Sequence, residues 1–397
     1  MTKHIICLGD GMADHPIKTL HHKTPLEVAK TPHMDFISKH GCLGMVDTVP
    51  PGFHPGSDVA NMGILGFDPA LYYTGRGPIE AASLNVICNE DELIFRCNLV
   101  TIDHDIMKDF TAGHISSEES HILIQELNDG FADTPIRFIA GVSYRHIMIA
   151  PASFFDLKTV APHDIIDSNV SCYWPQGNNM DAFQDIINQA NDILKQSSVN
   201  ISRANSHKSS ANSIWPWSQG TYPKMESFVS KYHKTGGIVT AVDLLKGLGC
   251  LLDLQTPNVP GATGFIDTNY ANKVSAAKAI LSDHDFCYLH IEAPDEAGHM
   301  GDVDLKIKAI EDFDRYVVKP MLEYISDTPD SVIMVLPDHP TPCDLKTHTH
   351  EPVPFCFYYP NYQYSSNLTY SEKTASSTNI YYSTPWDLLT TFLHESP

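Results

Sequence analysis

The stretch HPGSDVAN, residues 54 to 61, sets a hydroxyl, Ser57, between a Pro-Gly pair and an acid. A short apolar run follows through Val59, Ala60, Met62, Ile64 and Leu65. Two readings fit these residues. Serine is a favoured helix N-cap, so Ser57 is ordinary capping chemistry. Alternatively it is a nucleophile at a helix N-terminus, where backbone N–H groups and the helix dipole favour a phosphate. Acids and histidines recur elsewhere: Asp10 after HIICL, Asp295 and His299 in APDEAGHMGD, Asp338 and His339 in PDHPTP, and His348 and His350 in KTHTHE. Singly, each has a bland explanation. Asp10 is a turn acid before Gly11. Asp295 and His299 are an N-cap acid and a surface histidine, although their i, i+4 spacing also suits a metal pair on one helix face. Asp338 and His339 end a strand among prolines, and one of His348 and His350 is simply solvated. Jointly, these explanations need a coincidence of acids and histidines at one end of one sheet. The chemistry of the joint reading is a two-metal site. Carboxylates and imidazoles suit Mn²⁺, Zn²⁺ or Mg²⁺. Two such ions clamp a phosphoryl group, and a serine hydroxyl needs such an activator at neutral pH. On this reading Ser57 is a metal-activated nucleophile rather than a cap.

The elements that must position these residues follow from hydrophobic pattern. HIICL (4–8), GGIVTAV (236–242), FCYLHIE (286–292), SVIMVL (331–336) and VPFCFYY (353–359) read as buried parallel strands, apolar without alternation. Helix-length patterns lie between them. TPLEVAKTPHMDFISKHG has apolar residues at 26, 29, 34 and 37 and a glycine stop at 41, and the segment after Asp302 has them at 305, 309, 313, 317 and 321. Strand–helix alternation predicts a doubly wound α/β sheet, and ligands of such sheets collect beyond the carboxyl ends of the strands. Residues 89–236 lose this rhythm and read as an inserted α+β domain with strands such as LIFRCNLVTI and RHIMIA. The core is then 1–88 and 237–397. The polar stretches 197–213 and 364–379 read as loops, the first of them mobile.

Composition narrows the class. A chain of 397 residues suits two domains, or one large domain carrying an insertion. A formal charge of −22 disfavours non-specific binding to nucleic acid or an anionic membrane, while a local metal or arginine cluster can still attract a small anion. Nine cysteines with no C-x-x-C pair argue against a disulfide framework and a cysteine zinc site. No signal peptide and no membrane-length apolar run is apparent, so the expected setting is the cytoplasm.

Across nearly its whole length the chain resembles the archaeal-type cofactor-independent phosphoglycerate mutases of the alkaline phosphatase superfamily. The stretches that carry the resemblance include LGDGMAD, KTPLEVAKTPHMD, PGSDVANMGILGFDP, YYTGRGPIEAAS, VPGATGFIDTNYANK, IEAPDEAGH and PDHPTPCDLKTHTHEPVPF. The resemblance implies an alkaline-phosphatase-like core whose inserted domain binds and caps the substrate. It implies that Ser57 is phosphorylated, that Asp10, Ser57, Asp338 and His339 bind one metal ion, and that Asp295, His299 and His348 bind the other. His348 is preferred to His350 because the family's ligand lies four residues before the proline of PVP, here Pro352. Lys246 and Arg76 resemble phosphate-binding cations. Arg145, His146, His163 and Asp164 resemble substrate contacts, against an edge-strand charge pair for SYRH and a turn for PHD. The cofactors implied are two divalent ions, Mn²⁺ foremost with Mg²⁺ or Zn²⁺ as alternatives, and no bisphosphoglycerate. The partner implied is a small phosphorylated substrate, and the sequence assigns no oligomeric state. The implied reaction passes a phosphoryl group from 3-phosphoglycerate to Ser57 and back to the 2-hydroxyl of glycerate. One departure stands out: GSDVAN replaces the GSDTAH of many members. It resembles a bacterial sister branch for which homoserine kinase activity has been proposed, and the two changes, within one turn of Ser57, are expected to bear on the acceptor pocket. A non-catalytic metal-binding regulatory module and a plain phosphatase are the readings from other classes.

Overall fold

The computed structural model describes residues 2–86, 88–328, 330–361 and 366–394. Residues 364 and 365 of the expected C-terminal loop lie outside them. The chain divides into two compact units, Met1–Tyr73 with Met225–Pro397, and Thr74–Lys224.

The first unit holds a seven-stranded sheet among the described residues. Its order is Tyr381–Tyr382, Cys42–Val46, Val353–Tyr358, Ser331–Leu336, Lys3–Gly9, Phe286–Ile291, Gly236–Val239. The last four are mutually parallel. Leu8 pairs with Leu336 on one side and His290 on the other, so Asp10, Glu292 and Pro337 leave the sheet at the same edge. Every residue of Phe286–Ile291 and Ser331–Leu336 is buried, which is why these strands read as unbroken apolar runs.

The Val353–Tyr358 strand corrects an expectation. It is antiparallel to both neighbours, not parallel. The chain after Ser331–Leu336 makes no crossover helix; the segment 337–352 stays at the carboxyl edge and re-enters the sheet there. That return keeps Asp338, His339 and His348 in one place. The helix pattern at 25–41 is two helices, Pro25–Val28 and Pro32–His40. Thr31 sits at φ −123° and ψ 59°, outside the helical region that a following proline disfavours. Downstream, Val303–Phe313 runs through a widened π turn, Asp314–Val318, into Lys319–Asp327. Pro320 has no N–H to continue the regular ladder.

The second unit is an antiparallel sheet. Glu92–Asp103 pairs with Ile106–Asp109, Arg145–Pro151 and Ser213–Gly220, and Arg137–Ile139 pairs with Arg145–Pro151. Helices Ser117–Gly130 and Met180–Gln196 bury Leu123, Leu127, Phe183 and Ile187 against it. The unit begins at 74 and ends at 224 rather than at 89 and 236. Helix Arg76–Ala82 packs on Glu92–Asp103 and Ser213–Gly220, and Thr74 donates to the Thr221 carbonyl at 2.6 Å. At the far end Phe228 stacks on Phe286 at 4.5 Å, which ties 225–236 to the first unit. Within 197–213 the expected loop contains a helix, Ser198–Asn205. Ser197 caps it, Asn200 bonds the backbone of Leu194 and Ala211, and Arg203 pairs with Glu119, so polar residues serve as its core. Within 364–379 a second helix, Glu372–Ser376, is capped by Ser371.

Candidate metal centre

Gly56, not Ser57, is the N-cap of helix Ser57–Ile64, and no side chain caps it. The Ser57 hydroxyl is therefore free of the capping role that its sequence context suggested. Its Oγ lies 3.1 Å from His339 Nε2. That nitrogen is 3.6 Å from Asp10 Oδ1 and 3.4 Å from Asp338 Oδ2. A second group adjoins the first. Asp295 approaches His299 Nε2 at 3.2 Å and His348 Nε2 at 3.4 Å, and the two histidine nitrogens are 3.0 Å apart. Ligand-type atoms of Asp295, His299 and His348 lie within 4.8 Å of one another, as do those of Asp10, Asp295 and His339. Asp295 thus belongs to both sets, whereas sequence reasoning gave it to one. His350 is exposed, and His348 is the histidine that enters the site.

Elementary hydrogen-bond logic fixes the tautomers. The Thr341 hydroxyl must donate to the Asp295 carboxylate, so it accepts from His339 Nδ1, 3.2 Å away. His299 Nδ1 donates to the Lys346 carbonyl at 3.0 Å. His339 then presents the lone pair of Nε2 to the site, as His299 does when neutral, the arrangement that second-layer partners impose on metal-binding imidazoles. Asp10 Oδ1 is buried without a hydrogen-bond donor. Burial pushes the Asp10 carboxyl well above the usual range, and the charges of Asp338 and Asp295 push it further. Burial also opposes ionisation of Asp338 and Asp295. Even so, neighbouring His339 holds Asp338 below the usual range, and hydrogen bonds from His299 and His348 hold Asp295 well below it. The Asp295 hydrogen bond raises His299 to about 9. Three buried carboxylates, an oxygen without a donor and inward-facing imidazoles form a donor set that fits divalent cations.

The remaining predicted residues divide. Lys246, on helix Asp243–Leu251, rests 3.6 Å from Asp243 Oδ1. In the second unit Arg76 Nε pairs with Glu80 at 2.9 Å, and Arg96 Nε pairs with the other Glu80 oxygen at 2.8 Å. Burial opposes the Glu80 charge, but Arg96 and Arg76 hold its carboxyl below the usual range. Arg96 stacks 4.2 Å over the Trp217 ring, and His163 meets the same ring edge-on at 5.4 Å. Arg145 is exposed at the head of its strand, and His163 and Asp164 are exposed on a short turn. His146 departs from expectation. Strand alternation turns it away from Arg145, it is 3% exposed, and its Nδ1 accepts from Gly141 N–H. It is a packed histidine, not one a substrate can touch.

Sequence reasoning gave Asn61 a different role and missed Tyr288, His290 and Thr341 in the first unit, and Glu80, Arg96 and Trp217 in the second. The available signals were a tyrosine and a histidine two apart in an otherwise apolar strand, an arginine inside the apolar FRCNLV, and the i, i+4 spacing of Arg76 and Glu80.

Comparison with known proteins adds an independent line. A family profile for 2,3-bisphosphoglycerate-independent phosphoglycerate mutase matches residues 38–200. A protein of that name from Methanosarcina barkeri (strain Fusaro / DSM 804) is 49% identical over 359 residues, 90% of each chain. The solved PH0037 protein from Pyrococcus horikoshii is 26% identical with a TM-score of 0.80, over 100% of this chain and 98% of the other. The cofactor-independent phosphoglycerate mutase from Thermoplasma acidophilum DSM 1728 is 26% identical with a TM-score of 0.67, over 99% of each.

Proposed function

This chain belongs to the 2,3-bisphosphoglycerate-independent phosphoglycerate mutase family, and on that premise we propose that it interconverts 3-phosphoglycerate and 2-phosphoglycerate through a phosphoserine at Ser57. The observation that carries the proposal is the Ser57 hydroxyl, unused as a cap and 3.1 Å from His339 inside a cluster of carboxylates and imidazoles. Divalent ions bound there, Mn²⁺ foremost, would neutralise charge on the phosphoryl oxygens and acidify the serine hydroxyl. Asp10, Asp338 and His339 would hold one ion beside Ser57, Asp295, His299 and His348 would hold the other, and Asp295 stands within reach of both.

Ser57 Oγ attacks phosphorus, the bond from phosphorus to the glycerate 3-oxygen breaks, and that oxygen takes up a proton as Oγ loses one. The glycerate 2-oxygen then attacks phosphorus, the bond from phosphorus to Ser57 Oγ breaks, and Oγ takes up a proton as the 2-hydroxyl loses one. No net proton and no second phosphate donor is required. Phosphoserine must be kept from water while glycerate reorients, and the proposal gives that task to the inserted unit. Arg76, Arg145 and His163 are its candidate contacts to the anionic substrate, with Lys246 a cation of the core. The cytoplasm is the proposed setting. All nine cysteines are free thiols, and no described helix is long and apolar enough to cross a membrane.

Phosphorus NMR of the protein with 3-phosphoglycerate and Mn²⁺, without added bisphosphoglycerate, tests this. Interconversion should appear and should fall by more than about 10³-fold in Ser57→Ala. Because Ser57 caps nothing, the variant should lose no more than about 1 kcal/mol of stability, the worth of its hydrogen bond to His339. Free phosphate in place of 2-phosphoglycerate would make the protein a phosphatase. Turnover only with homoserine and a phosphoryl donor would move it to the other branch.

A further inference from the structure

The departure GSDVAN ends in Asn61, and Asn61 is wholly buried. Its amide is oriented without ambiguity. The Asp338 carboxylate and the Ser57 carbonyl can only accept, so Nδ2 faces them, at 2.7 Å and 2.9 Å. Asn61 Oδ1 is left to accept from the Tyr288 hydroxyl. Asp338 Oδ1 meanwhile takes the N–H groups of Gly11 and His339. A single side chain therefore ties the backbone of the nucleophile to the carboxylate beside it, and a phenol fixes that side chain.

A matching pair stands two residues along the same strand. Neutral His290 uses Nε2–H on Asp10, so its Nδ1 is bare and accepts from Thr240 Oγ1, which in turn accepts from Val242 N–H. The Nε2–H bond to Asp10 Oδ2 spans 2.9 Å. Asp10 Oδ1, the oxygen without a donor, is thereby left facing His339. Tyr288 and His290 share one face of strand Phe286–Ile291, and both are wholly buried.

We propose that Asn61, oriented by Tyr288, is a positioning residue that locks Ser57 and Asp338 into one geometry, with His290 doing the same for Asp10. The inference rests on Asp10 and Asp338 being metal ligands. It assigns the asparagine of GSDVAN to metal-site geometry and not to acceptor choice. Supporting partners of this kind change metal affinity by about 10–100-fold when removed.

The test uses Tyr288→Phe, which deletes one oxygen from a packed ring, and Asn61→Leu, which removes the amide at similar volume. Mn²⁺ affinity is read by the EPR signal of free Mn²⁺ on titration into metal-free protein. Turnover of 3-phosphoglycerate is followed alongside. Tyr288→Phe should weaken one Mn²⁺ site about tenfold, and Asn61→Leu should weaken it more. The kcat at limiting Mn²⁺ should fall, recover at high Mn²⁺, and leave KM for 3-phosphoglycerate within about threefold. Folded variants that bind Mn²⁺ as the parent does would overturn the proposal, as would a switch of acceptor. If Asn61→Leu fails to fold, Tyr288→Phe alone decides. A parent that binds Mn²⁺ but shows no mutase turnover would count against the proposed function, and the Mn²⁺ titration of the variants would still judge this inference.

Discussion

Lys306 is wholly buried, and Asp14 is the carboxylate it pairs with directly among the described residues. Its Nζ donates to Asp14 Oδ2 at 2.8 Å, to the Thr341 carbonyl at 2.8 Å and to the Ala13 carbonyl at 3.1 Å. Asp14 lies four residues past Asp10, and Thr341 two residues past His339. The ammonium thus pins together the two loops that leave the sheet with the candidate ligands. Replacing it by Met keeps most of the stem and removes the three hydrogen bonds. Asp14 would keep backbone donors from His15 and Cys343 but lose its counter-charge. Breaking a buried pair from one side costs about 3–5 kcal/mol. The two orphaned carbonyls push toward the upper end, and relaxation of their loops toward the lower. A cooperative unit of this size shifts by about 2–4 °C per kcal/mol, so Lys306→Met should lower Tm by about 10 °C. The double variant Lys306→Met with Asp14→Leu removes the uncompensated carboxylate as well. It should lie closer to the parent than the single variant, although it alone leaves the His15 and Cys343 N–H groups without the Asp14 acceptor. The assay is calorimetry on chelator-treated protein, because bound metal would shift both curves by mass action. A fall of less than about 3 °C, or a double variant less stable than the single one, would refute the claim that this buried pair holds the loops.

Two further outcomes follow from the site and from burial. Chelation should lower Tm, and Mn²⁺ should restore it by about 2.7 kcal/mol per site at a hundredfold excess over Kd; identical melting curves with EDTA and with Mn²⁺ would remove the metal reading. Burial lowers His146 to about 3, well below an unfolded value of about 6.5. Its contribution to stability is therefore complete above about pH 6.5 and lost as pH falls toward 3, at about 1.4 kcal/mol per pH unit. His146→Gln, whose amide oxygen can still accept from Gly141, should melt with a shallower acid dependence between pH 6.5 and 5, and parallel pH profiles would contradict this.

The parts of the site legible in sequence were those whose residue types are out of place. An acid directly after an apolar strand, or a histidine beside an acid among prolines, has few cheap structural uses. Strand ends also need no knowledge of strand direction, since Asp10, Asp295 and Asp338 follow their strands in the chain whatever the pairing. Direction itself was not legible. Val353–Tyr358 is apolar on both faces, and a central strand reads the same whether its neighbour runs with it or against it. The helix at 198–205 was hidden for the opposite reason. Its buried residues, Asn200 and Arg203, are polar, and only their partners 84 residues back in sequence, or on the adjoining turn, make them core. The start of the inserted unit was hidden because Arg76–Ala82 has the apolar composition of a core helix, and only its packing on Glu92–Asp103 reveals its allegiance.

The two changes in GSDVAN show why proximity in sequence to a nucleophile is a poor guide to what a residue does. Successive helix residues turn by about 100°, so the position four past Ser57 returns to within about 40° of it, while the position two past faces nearly the opposite way. Val59 accordingly packs with Val49 and Ala60, away from the hydroxyl. Asn61 lies one turn below Ser57, in contact with its carbonyl, and is closed off by Tyr288 and Asp338. Val59 is 3% exposed and Asn61 is wholly buried, so on the inference above the two changes bear on the metal site rather than line an acceptor pocket. A histidine at 61 would have to answer the same two constraints, a carboxylate that needs a donor and a phenol that needs an acceptor. Neutral imidazole can do so with one protonated and one bare nitrogen. The asparagine and histidine forms of the motif are then two solutions of one positioning problem.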